Sequence, residues 1–159
     1  VSKLEEGKVQ NVSEVVNLST FMHEVITAMQ AIAKSGQKVV YSHTGNELAS
    51  IDGKLFKHIL FNLISNAIKF SPENSIIKVD TAIEHDSITI TVADSGIGIS
   101  KEEQGSLFER FFRGNNATHI QGTGLGLNIV SKYVELMNGS IDFTSEENKG
   151  TTFILKFPQ

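Results

Sequence analysis

The order in which the hydrophobic period changes along this chain leaves few folds open. From about Lys54 to Phe70 apolar residues recur at helical spacing. Ser71-Pro72 stops that run, because proline has no N–H to continue a helix and restricts the residue before it. The period then becomes two. Ile76 to Glu84 and Ser87 to Ala93 alternate in part between apolar and polar residues, with His85-Asp86 as the turn, which predicts a β-hairpin. A long helix is expected from about Gly124 to Asn138, ended by Gly139. A last hairpin joins Ser140–Ser145 to Thr151–Phe157 across Glu146-Glu147-Asn148-Lys149-Gly150. Helices alternating with hairpins in this way read as an α/β fold.

The flanking segments are expected to complete it. Val15, Val16, Phe21, Met22, Val25, Ile26, Met29, Ile32 and Ala33 recur at helical spacing, which predicts a helix from about Ser13 to Lys34 with Gly36 as its end. Lys38 to Ser42 reads as a short strand, and Ile51-Asp52-Gly53 leads into the Lys54–Phe70 helix. A short helical stretch is expected around Glu102 to Phe111. Gly114 to Gly122 is polar with almost no apolar anchor and reads as a mobile loop. Val1 to Val9 starts in mid-pattern and reads as the frayed end of a preceding helix closed by Gly7. Residues 1–11 are therefore expected to be the end of a preceding domain or a linker, and 12–159 one domain.

Composition removes several function classes. The 159 residues are 40% hydrophobic, enough to fill one core, and carry a net charge of −4, which argues against a binder of nucleic-acid phosphates. Cysteine is absent, which leaves no disulfide framework and no thiolate metal site. No apolar run approaches the ~20 residues that a membrane-spanning helix needs, and no signal peptide opens the chain.

The chemistry begins on the second long helix. Asn62, Asn66 and Lys69 fall on one stripe at i, i+4 and i+7, and Asn66 falls between Leu55 and Ile59, inside the apolar arc. A buried amide without a partner costs roughly 1–3 kcal/mol. Asn66 thus either caps a loop or offers its oxygen to Mg²⁺, a hard cation that keeps waters and phosphates as its other ligands. On the second reading Lys69 meets phosphate oxygens; alone, it is a solvated lysine.

Asp94 ends the strand Thr89–Ala93 and begins Asp94-Ser95-Gly96-Ile97-Gly98-Ile99. A carboxylate there can accept from the exocyclic amine of adenine, with Gly96 and Gly98 letting the backbone approach a flat base; the other reading is an Asp-Gly turn. Gly122-Thr123-Gly124-Leu125-Gly126-Leu127 is neither a dinucleotide fingerprint nor a Walker A loop. It is a glycine-rich approach to a helix, whose N-terminus suits phosphate, or a hinge before that helix.

Asn62-x-x-x-Asn66-Ala67-x-Lys69-Phe70, Asp94–Ile99, Leu107-Phe108-Glu109-Arg110-Phe111-Phe112-Arg113 and Gly122–Leu127, in this order, closely resemble the N box, first glycine box, F box and second glycine box of sensor histidine kinase catalytic domains. That family belongs to the superfamily of gyrase-like and chaperone ATPases. The resemblance spans about Val12 to Pro158. It implies an α/β two-layer sandwich, a mixed sheet of about five strands backed by three helices, with a mobile ATP lid. It implies ATP and Mg²⁺ as cofactors and Asn66 as the Mg²⁺ ligand, with Asn62 as a polar support. Lys69 and Arg113 are implied at the phosphates as the catalytic charges, with Phe70 against the nucleotide where tyrosine is frequent. Asp94 is implied on the adenine amine, Gly96, Gly98 and Ile99 around the base, and Thr151 near Asp94. Gly122, Thr123, Gly124, Leu125, Gly126 and Leu127 would be the lid. The partners implied are an upstream dimerisation and phosphoacceptor domain and a response regulator receiver domain, with no nucleic acid and no membrane contact by this segment. The implied setting is a cytoplasmic domain of a homodimeric parent, which in this family can be an inner-membrane sensor.

None of the five histidines has an acceptor context. His23-Glu24 lies in the first predicted helix and no proline follows, so the acceptor is expected upstream. Three readings compete: a protein-histidine kinase domain, an ATP-hydrolysing superfamily member, and a nucleotide-sensing pseudokinase. Hydrolysis in the superfamily uses a glutamate on the N-box helix, and Lys57 to Asn62 supplies no carboxylate.

Overall fold

The computed structural model describes residues 10–101 and 124–159, and of Gly124 to Gly126 only the backbone. Its elements are β1 (Glu14–Asn17), α1 (Leu18–Ile32), β2 (Lys38–Gly45), β3 (Leu48–Ile51), α2 (Gly53–Phe70), β4 (Ile76–Glu84), β5 (Ser87–Ala93), α3 (Gly124–Leu136), β6 (Ser140–Glu146) and β7 (Gly150–Pro158). Five strands form a mixed sheet in the order β2-β4-β5-β7-β6; β2 and β4 are parallel and every other pair is antiparallel. β1 and β3 make a separate two-stranded sheet.

Alternation along the strands sends Ile77, Val79, Ile88, Ile90, Val92, Phe153, Leu155 and Phe157 to one face, where they are buried. The three helices back that face. α2 contributes most, burying Leu55, Phe56, Ile59, Leu60, Leu63, Ile64, Ala67 and Ile68 along a single stripe. α1 adds Met22, Val25 and Met29, and α3 adds Val130 and Val134. This is the expected α/β sandwich.

Three expectations need correction, all in the first third. The first helix begins at Leu18, not Ser13. Asn17 caps it, its side-chain oxygen accepting from Thr20 N–H at 3.0 Å. Glu14–Asn17 instead pairs with Leu48–Ile51, a strand that local pattern does not announce. Val15 mimics a helical core position but is 71% exposed on β1. The helix also stops at Ile32; Gly36, at φ +73°, belongs to the turn beyond it. β2 runs on to Gly45 because β4 offers it partners over eight residues. The predicted helix around 102–111 and the predicted loop 114–122 lie outside the described residues.

Candidate functional site

The end of α2 and the loop after β5 meet at one edge of the sandwich. Asp52 starts α2, its Oδ1 accepting from the N–H groups of Lys54 and Leu55 at 3.0 Å each. With the apolar stripe turned to the sheet, Asn62 and Asn66 are left half-buried on the flank and Lys69 exposed. Asn62 Nδ2 donates to the His58 carbonyl at 3.0 Å, which aims its oxygen away from the helix. Asn66 is less enclosed than its place in the apolar arc predicts, and among the described residues its amide has no hydrogen-bond partner. Asn66 therefore caps no loop among the described residues.

No cluster of three His, Cys, Asp or Glu that could hold a metal exists among the described residues. A carbonyl-type oxygen such as that of Asn66 is a ligand type that a hard cation takes alongside phosphates and water.

Asp94 is held from three sides. Its N–H donates to the Thr151 carbonyl at 2.9 Å, while its Oδ1 accepts from Gly96 N–H at 2.8 Å and Thr151 N–H at 3.2 Å. Oδ2 accepts no hydrogen bond from the described residues. Burial raises the Asp94 pKa above the usual carboxylate value, and the two backbone donors pull it part of the way back. The result is a carboxylate with one oxygen committed to the protein and the other available.

The glycines around Asp94 are accounted for by protein contacts. A Cβ on Gly96 would lie 2.3 Å from the Phe70 carbonyl oxygen. One on Gly98, at φ +68°, would lie 2.1 Å from the Glu146 carbonyl oxygen. The expectation that they serve approach to a base is thus not needed to explain them. Ile97 N–H donates to the Phe70 carbonyl at 3.2 Å, tying the loop directly to the last residue of α2. On the other side Ser145 Oγ accepts from Ile99 N–H at 2.8 Å and lies 2.8 Å from the buried Thr151 hydroxyl.

The structure thus brings together Phe70, Asp94, Gly96, Gly98, Ile99 and Thr151. Asn62, Asn66 and Lys69 sit on the last turns of the helix that Phe70 ends. Leu127 is half-buried in α3, against the core. Gly124 to Gly126 begin α3. Arg113, Gly122 and Thr123 lie outside the described residues. Sequence patterns leave Ser145 and Gly150 unmarked, although both touch the Asp94 segment; the sheet order that brings them there is not a local property. A polar cleft of about 100 Å³ between β3 and the end of α3 is separate from this set. Its buried carboxylate, Asp52, is already committed, with Oδ2 accepting from Val12 N–H at 2.7 Å.

Comparison with known proteins gives a consistent answer. The profile of the histidine kinase-, DNA gyrase B-, and HSP90-like ATPases matches residues 51–159. The sensor protein EvgS of Escherichia coli (strain K12) is 35% identical over 166 residues, covering 99% of this chain and 14% of EvgS. The chain therefore spans about a seventh of that relative's length. The solved catalytic domain of histidine kinase ThkA is 31% identical with a TM-score of 0.78, covering 92% of this chain and 95% of that one. Full-length ShkA in complex with AMPPNP shares the fold at a TM-score of 0.85 and 24% identity, over 99% of this chain and 33% of ShkA.

Proposed function

The chain belongs to the family of histidine kinase-, DNA gyrase B- and HSP90-like ATPases, among the histidine kinase catalytic domains, and on that ground we propose that it binds ATP with Mg²⁺ for transfer to histidine. The acceptor is a histidine in an upstream dimerisation and phosphoacceptor domain, and a response regulator receives the phosphoryl group afterwards. The reading rests on one observation above others: the half-committed Asp94 is tied through Gly96 and Ile97 to the helix end that carries Asn66 and Lys69. Its free oxygen can accept from the adenine amine. Asn66 would hold Mg²⁺, which neutralises phosphate charge when bound. Lys69 and Arg113 add positive charge where the transferring group becomes most anionic. The nucleotide seen with ShkA supports the ligand class.

Among the described histidines, His23 Nδ1 donates to the Ser19 carbonyl within its own helix, and His43 binds Thr81 and the Asn46 carbonyl. The test uses γ-labelled ATP with and without a separately prepared acceptor domain. Acid-labile label on that domain alone is the expected result. Label on this chain refutes an upstream acceptor, and ATP hydrolysis without transfer refutes the kinase reading.

A further inference from the structure

We propose that Gln37 and Lys34, from the turn between α1 and β2, are positioning residues of the nucleotide site, acting through the C-terminal end of α2. The proposal rests on the nucleotide reading above. A helix end leaves its last carbonyls without intrahelical partners, and a common answer is a glycine in the left-handed region. α2 has no such glycine. Ser71, its C-cap, is extended at φ −105°, ψ 149°, and Pro72 follows.

The carbonyls are satisfied from outside instead. Gln37 is buried at 2% exposure, and its Nε2 donates to the carbonyls of Ile68 (3.2 Å), Ser71 (3.1 Å) and Pro72 (3.1 Å). Its Oε1 accepts from Lys34 N–H at 2.8 Å, which fixes the orientation of the amide. The Lys34 ammonium donates to the carbonyls of Lys69 (2.8 Å) and Ser71 (2.7 Å), at the negative end of the helix dipole. The remaining carbonyl, that of Phe70, receives Ile97 N–H of the Asp94 loop. Every carbonyl from residue 68 to residue 72 is therefore occupied, and two side chains hold four of the five.

Helix termini fray when their carbonyls are left to water. Here the last turns carry Asn66 and Lys69, so fraying displaces the groups assigned to metal and phosphate while leaving most of the core in place. Holding these residues to within a fraction of an ångström is what such a support supplies.

The experiment compares wild type with Lys34→Met, Lys34→Arg and Gln37→Glu. Lys34 is exposed, so its variants fold even if Gln37→Glu, which swaps a donor for an acceptor in a buried site, does not. ATP affinity is measured calorimetrically with Mg²⁺ and with EDTA, beside thermal unfolding. The expected result for Lys34→Met is a fall in the ratio of the two affinities of roughly three- to tenfold, the worth of one or two hydrogen bonds. Lys34→Arg should recover most of it. An equal fall in both conditions would mean a general loss of folded protein and would overturn the positioning role, as would an unchanged ratio. If wild type binds no ATP in either condition, the nucleotide reading itself is refuted, an outcome separate from the other two.

Discussion

Asp94 and Thr151 are paired twice: the Asp94 N–H donates to the Thr151 carbonyl at 2.9 Å, and the Thr151 N–H donates to Asp94 Oδ1 at 3.2 Å. The acceptor oxygen proposed for adenine is thus oriented by a strand 57 residues further along the chain. Its geometry is a property of the β5–β7 pairing, not of the Asp-Ser-Gly turn alone.

Asp94→Asn should weaken ATP binding by roughly ten- to hundredfold, the worth of a hydrogen bond to a charged group. Oδ1 can still take both backbone donors, which turns Nδ2 toward the ligand. There an N–H faces the adenine N–H where an acceptor is needed. Calorimetric titration at fixed Mg²⁺ reads the loss, and unchanged affinity would remove Asp94 from the site.

The same variant should make the ligand-free fold more stable at neutral pH. Burial places the folded-state pKa of Asp94 above its unfolded value. Such a group favours folding below the unfolded pKa, and that contribution is lost as pH rises through the folded pKa. Ionised Asp94 is therefore a cost at pH 7, and removing it should raise Tm. Wild type should gain stability relative to the variant as pH falls into the acid range. Thermal scans of both proteins from pH 3 to 8 check the sign, and a parallel dependence would contradict it.

Asn66→Ala should cost little stability, because the half-buried amide has no partner among the described residues to lose. ATP affinity should fall with Mg²⁺ and change little with EDTA. A matching drop in both conditions would assign Asn66 to structure instead.

Gly96→Ala should destabilise the fold by roughly 2–3 kcal/mol. The added methyl lies 2.3 Å from the Phe70 carbonyl oxygen, backbone that cannot swing aside, and 3.0 Å from Asp94 Oδ1. Urea unfolding measures the loss. Amide exchange should show Ile97 N–H, which donates to that carbonyl, as the first protection to disappear. Wild-type protection at Ile97 would refute the contact.

Gln159→Ala should loosen β3. The Gln159 side chain pairs with the Ser50 backbone like a missing strand, accepting from its N–H at 2.7 Å and donating to its carbonyl at 3.0 Å. The Ser50 amide should exchange faster, with a global cost of about 1 kcal/mol. Unaltered exchange at Ser50 would show that the edge is closed by something else.

How much of this was legible depended on the range of the interaction. α2 and the β4–β5 hairpin could be read because their periods and stops are local: Asp52 at one end, Ser71-Pro72 at the other, His85 at φ +53° in the turn. β1 and β3 could not, since four-residue strands are defined only by each other, and Glu14 finds Ile51 37 positions further along the chain. Asp94 was legible as a strand-end carboxylate. Its partner Thr151, Ser145 beside that threonine, and Gln37 at the end of α2 were not all equally so. Thr151 came from the resemblance, whereas a glutamine in the polar run Ser35-Gly36-Gln37-Lys38 looks solvated until the fold buries it.

The strand order has a consequence for how the protein is made. β7, the last strand, lies between β5 and β6, although both are translated before it. A nascent chain emerging N-terminus first can pair β4 with β5 early, but β6 has no strand of this sheet to pair with until β7 has left the ribosome. At about 5–20 residues per second that wait lasts seconds. Throughout it, Asp94 already exists and lacks the Thr151 backbone that aims it. The site is completed only by β7, so a product truncated before β7 carries the sequence boxes of a nucleotide site without the geometry of one.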